Sequence, residues 1–152
     1  WTIAPPAVTA GIRAAHQFLT FCSVTPMQHA AAEALAAPRA YFEGLRADYR
    51  ARRDLLLGEL RSAGFAPAVP EGAYFIVAPA PAALGADDVA CAMHLVERAG
   101  VACIPCSAFH AAGPDGTKDA EARSLLRFAF CKTEETLRAA GERLRAGAAA
   151  AG

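Results

Sequence analysis

The sequence predicts a two-layer α/β domain with a small mixed or antiparallel sheet and flanking helices. Three observations carry that expectation. Apolar residues recur at helical spacing through most of positions 8 to 63. Two short runs, AYFIVA at 73–78 and SLLRFAFCK at 124–132, are instead rich in aromatic and branched residues with strand alternation. Gly or Pro punctuates the chain wherever one pattern gives way to the other.

Taken in order, Pro5 and Pro6 open a helix over 8 to about 18, proline being tolerated in a first helical turn. After FCSVTP a second helix starts near Pro26, with Met27, Ala30, Ala31, Ala34 and Leu35 at helical spacing, and Pro38 ends or kinks it. From 41 to about 63, Tyr41, Leu45, Tyr49, Leu56 and Leu60 alternate with Arg46, Arg50, Arg52, Arg53 and Arg61, an amphipathic helix with a solvated basic face. Gly64 stops it. Residues 65–69, the Pro70-Glu71-Gly72 turn and residues 73–78 read as a hairpin. Asp87 or Asp88 caps a helix that runs to about Ala99, with Gly100 as its stop. VACIP is a short strand, followed by a long Gly/Asp/Ala loop, the 124–132 strand and a last helix from Thr133 with Leu137 and Leu144 inward. The Ala/Gly tail after Arg145 is expected to fray.

Composition narrows the function classes. A chain of 152 residues suffices for one core, and 15 basic against 15 acidic residues leave no net charge to draw nucleic acid or an anionic membrane. No apolar run approaches the roughly 20 residues of a membrane span, and the amino terminus lacks a signal-peptide pattern. The expectation is a cytoplasmic protein. Five scattered cysteines suit buried free thiols in a reducing compartment better than a disulfide framework. Only Cys103 and Cys106 are closely spaced, in ACIPC, and the loop-like sequence after them argues against a redox pair. Zinc would need further ligands that His16, His29, His94 and His110 do not offer at paired spacing.

Arg127 stands out, a permanent cation in the middle of an apolar strand. Alternation puts it on one face with Leu125 and Ala129, opposite Leu126, Phe128 and Phe130, so the guanidinium projects among small side chains. Two partners suit it: a carboxylate-bearing ligand held bidentately by the planar fork, or a structural Asp or Glu.

WTIAPP, HQFLTF with TPMQHA, YRARRDLLLGEL, PEGAYFIVA, GVACIPCSAFH and LLRFAFCKTEETL, in that order, resemble the carboxy-terminal part of class I/II pyridoxal-phosphate-dependent aminotransferases, the kynurenine, glutamine and methionine aminotransferase branch above all. The resemblance covers nearly the whole chain. It implies the small domain of the pyridoxal-phosphate-dependent transferase fold over residues 38–152, preceded in 1–37 by a remnant of the large domain and the bridge from it. Arg127 then matches the arginine that grips the substrate α-carboxylate. Phe75 matches an aromatic residue lining the side-chain pocket. Phe21 matches a residue contributed to the neighbouring subunit's site, so a homodimer is implied. The substrates implied are an amino acid and a 2-oxo acid, with bulky apolar, aromatic or thioether side chains suiting the aromatic pocket.

The cofactor implied is pyridoxal 5'-phosphate, but neither Lys118 nor Lys132 has the sequence context of its anchoring lysine. The chain starts at Trp1 where such a lysine would already have passed, so the expectations are a truncated chain, inactive alone, whose first 37 residues expose apolar surface and are weakly cooperative. Two other functions stay open: a stand-alone non-catalytic small domain or binding module, and a thiol redox or metal module on Cys103 and Cys106.

Overall fold

The computed structural model describes residues 2–85, 87–111 and 122–149. Trp1, Lys118 and most of the long loop before the Arg127 strand lie outside the described residues. The chain forms two compact units, Trp1–Glu43 and Gly44–Gly152.

The first unit holds helices α1 (Pro6–Leu19) and α2 (Thr25–Leu35), both with proline in the first turn and neither with a buried residue. Between them, Phe21 takes a left-handed φ of 60°, which a Cβ-bearing residue adopts at a cost of about 1–2 kcal/mol. Helix α3 (Arg39–Ser62) starts directly after Pro38 and continues into the second unit. There its stripe is buried through Leu56, Leu57 and Leu60, whereas Tyr41 and Leu45, expected on the same inward face, are exposed.

Gly64, at φ 87°, turns the chain after α3. The Phe65 and Gly64 amides donate to the Leu60 and Arg61 carbonyls, so the orphan carbonyls of the last turn are satisfied. The hairpin expected next forms only in its second half, as strand β1 (Phe75–Pro79). Residues 65–69 run alongside with one backbone bond, from the Ala68 amide to the Val77 carbonyl at 3.0 Å. Pro67 and Pro70 have no N–H to extend that ladder.

Helix α4 (Asp88–His94) passes into a π-helical turn, Leu95–Ala99, closed by left-handed Gly100. Strand β2 is only Ile104–Pro105, and the turn Cys106–Phe109 follows it. Strand β3 (Leu125–Ala129) lies between β1 and β2, antiparallel to both, so of the two sheet types left open the described strands adopt the antiparallel one. Helix α5 (Glu134–Ala149) opens on Thr133, whose Oγ1 accepts the Thr136 amide at 3.2 Å. It stays helical past Arg145, where fraying was expected; Ala favours that, and Gly147 lies close against Ala99.

One face of the sheet, Ile76, Ala78, Leu126 and Phe128, joins Leu56, Leu57 and Leu60 of α3 with Leu95, Leu137 and Leu144 in a single core. A buried leucine of this kind contributes roughly 1.5–3 kcal/mol. Helix α5 comes close to α3 at Gly141, where an added Cβ would lie 2.7 Å from Glu59 Cβ, and Arg145 pairs with Glu59 beside it. No described helix is long and apolar enough to cross a membrane.

Candidate functional site

The other face of the sheet carries the candidate site. With Leu126 and Phe128 committed to the core, alternation turns Arg127 to the open side, half-buried. Val77 and Ile104 are its direct cross-strand partners. Phe75 stands opposite Ala129, two residues along on the same face. The Arg127 Cζ lies 4.7 Å from the Phe75 ring centroid and 4.5 Å from that of Phe109. The surroundings are therefore not the small side chains expected from β3 alone: two rings flank the cation, one from the β1 side and one from beyond β2. Contacts of this kind contribute about 0.5–2 kcal/mol each and hold the guanidinium plane. Among the described residues no carboxylate pairs with Arg127.

The structure brings Arg127 and Phe75 together. Phe21 belongs to the first unit, where it is 89% exposed. Ala73, two residues before Phe75, also holds a left-handed φ of 62°. Such non-glycine outliers carry a conformational cost of about 1–3 kcal/mol that the surrounding structure must offset.

Two contributors escape a reading of the sequence. Phe109 lies in a loop, where no periodicity assigns a direction. Asp88 read as interchangeable with Asp87 for capping α4, but the two divide the work. Asp87 caps, its Oδ1 accepting the Ala90 amide at 2.9 Å, and its Oδ2 accepts from Arg123 at 2.7 Å. The Arg123 hydrogen bond, then the Ala90 amide, hold the Asp87 carboxyl below its ordinary value. Asp88 turns inward to 1% exposure, and its Oδ2 accepts the buried Ser107 amide at 2.7 Å.

The thiols nearby are not poised for redox chemistry. Burial pushes Cys103 up to about 12, and raises Cys91 and Cys106 as well. A reactive or metal-binding cysteine needs the opposite shift. Among the described residues no group of three or more His, Cys, Asp or Glu is placed to hold a metal. Lys132 is the one lysine among the described residues, and it lines a separate cleft of about 560 Å³ with Gly100, Glu135 and Arg143. A pyridoxal phosphate group needs an amine at the substrate's reacting carbon, next to whatever holds the carboxylate. Lys132 does not fit that place, so the described residues alone do not fit the cofactor.

The family model for aminotransferase class I and II matches residues 1–144. A probable N-succinyldiaminopimelate aminotransferase of Mycobacterium tuberculosis is 43% identical over 148 residues, which cover 95% of this chain and 37% of that protein. The methionine aminotransferase of Escherichia coli is 38% identical over 145 residues, covering 95% and 36%. The solved structure of the M. tuberculosis N-succinyldiaminopimelate aminotransferase superimposes with a TM-score of 0.78 at 40% identity, over 95% of this chain and 36% of that one. The chain thus spans little more than a third of the length of these relatives.

Proposed function

The chain belongs to the class I and II aminotransferases, a pyridoxal-phosphate-dependent family, and from that premise we propose that it supplies the carboxylate-binding wall of an amino-acid:2-oxo-acid aminotransferase. The observation that carries the reading is the guanidinium of Arg127, flanked by Phe75 and Phe109 and paired with no described acid. A planar fork between two rings suits a bidentate bond to the α-carboxylate, the group that amino-acid and 2-oxo-acid substrates share. The two relatives act, by their names, on different amino donors, which fits a contact with the common carboxylate rather than with the side chain.

Phe75 forms part of the adjoining side-chain wall and favours a bulky apolar or aromatic substituent. Phe21, exposed and held in a strained conformation, serves the site of a second subunit in a cytoplasmic homodimer. In this reading residues 38–152 are the small domain and 1–37 belong to the large domain and the bridge. The cofactor supplies the electron sink when bound; its anchoring lysine lies outside the residues described here, and this chain alone does not turn over substrate. Its own residues bind and orient.

The test is Arg127→Ala and Arg127→Lys in the whole protein, assayed with several amino acids. The alanine variant is expected to raise KM for every donor, by about 2–5 kcal/mol in kcat/KM, and lysine to restore only a part, since it cannot bind bidentately. Unchanged kinetics in the alanine variant would remove Arg127 from the site.

A further inference from the structure

We propose that Asp88 is a positioning residue for Arg127: its buried carboxylate holds the Cys106–Phe109 turn so that Phe109 covers the guanidinium. The inference rests on the carboxylate-binding role of Arg127 for its functional consequence, but not for its structural content.

Phe109 is 60% exposed, so core packing does little to fix its ring. What places it is the backbone of a four-residue turn, Cys106–Phe109. That turn is attached at Ser107, itself buried, whose amide donates to Asp88 Oδ2. At 2.7 Å that bond is short for an amide donor, and the oxygen that accepts it is the anchor of the turn.

Among the described residues Asp88 makes no other side-chain hydrogen bond. Asp87 already caps α4 through the Ala90 amide and takes the Arg123 ion pair. Burying a second acid in the first turn of the same helix is costly unless its oxygens are bonded, and among the described residues Asp88 Oδ1 is buried with no hydrogen-bond partner. A half-satisfied buried acid calls for an explanation. The bond it makes goes to the turn that carries Phe109.

Asp88→Ala removes the acceptor, whereas Asp88→Asn keeps an oxygen for the Ser107 amide. The readouts are the Nε–Hε resonance of Arg127, displaced by ring currents from Phe75 and Phe109, and the KM and kcat of the whole protein for amino-acid donors. Asp88→Ala is expected to move the Arg127 resonance towards that of a free arginine and to raise KM about tenfold with kcat changed much less, because the carboxylate is bound alike in ground and transition states. Asp88→Asn should retain most of both. Should Asp88→Ala fail to fold, Phe109→Leu tests the same chain of contacts at an exposed position, and should displace the resonance and raise KM in the same sense.

A folded Asp88→Ala protein with an unmoved Arg127 resonance overturns the proposal, as does an Asp88→Asn protein that loses as much as the alanine variant, or a Phe109→Leu protein unchanged in both readouts. If Arg127→Ala leaves KM unchanged, the carboxylate role fails by itself. The resonance still decides whether Asp88 positions the pair.

Discussion

Helices α1, α2 and α3 all carry apolar residues at helical spacing, α1 and α2 rich in Ala and the second half of α3 in Leu and charges, yet their fates differ. Leu56, Leu57 and Leu60 of α3 are buried against the sheet and α5, whereas α1 and α2 bury nothing: Phe18 is 83% exposed and Leu35 75% exposed. Apolar periodicity states which face of a helix can be buried. It does not state that a surface exists to bury it. In the Gly44–Gly152 unit the sheet provides that surface, so the same pattern that leaves α2 bare makes α3 the backbone of a core.

The largest expected effect breaks or confirms that contrast directly. Leu60→Ala should destabilise the chain by about 2–5 kcal/mol in denaturant unfolding, and Leu35→Ala by no more than about 0.5 kcal/mol. Equal costs would mean that α2 is packed as tightly as α3. Next comes Gly141→Ala, which tests the close approach of α5 to α3. The new methyl meets Glu59 at its Cβ as well as at its carboxylate, so a rotamer change of the head alone does not relieve it, and a loss of about 1–3 kcal/mol is expected despite alanine's better helix propensity. A stabilised variant would show that the helices can part without cost.

Thiol chemistry sharpens the comparison at smaller scale. Cys22 in the first unit is exposed, whereas burial holds Cys103 near 12, so its thiolate fraction near neutral pH is about a thousandfold below that of a thiol at its ordinary value of 9.0. Mass spectrometry after brief alkylation should find Cys22 modified first and Cys91, Cys103 and Cys106 last. Early labelling of Cys103 would mean that the β2 region opens as freely as the first unit.

The smallest effect concerns the exposed Asp87–Arg123 pair, which ties the start of α4 to the turn before β3. Asp87 has a folded value below its ordinary 3.8, so the unfolded chain binds the proton more tightly and the pair's contribution is present above that value. It is lost as the pH falls through the lower folded value. Asp87→Asn retains the cap while removing the charge, so the stability difference between wild type and variant should shrink as the pH falls below the ordinary value of 3.8. A difference that does not change with pH would show that the pair contributes nothing beyond the cap.

Much of the Arg127 site was legible because strand alternation is a strict rule. Once Leu126 and Phe128 are assigned to a core, Arg127 must face away from it, and β1 brings Phe75 to the same side through its pairing with Ala129. Phe109 and Asp88 were not legible. One sits in a turn without periodicity. The other is one of two adjacent acids with equal capping propensity, and only the position of the Ser107 amide selects Asp88 for the interior. The hairpin failed for a local reason that the sequence did contain, prolines at 67 and 70 that cannot donate to a ladder.

By itself the sequence determined the order and approximate extent of the helices, the two apolar faces of α3 and β3, and the exposure of one arginine to the side away from the core. These follow from periodicity and chain chemistry, which act over a few residues. Tertiary structure alone decided which apolar faces found a partner, which of Asp87 and Asp88 was buried, and that rings from two separate segments meet over Arg127. Those outcomes depend on which distant segments the sheet brings within a few ångströms of one another, and local patterning carries no record of that.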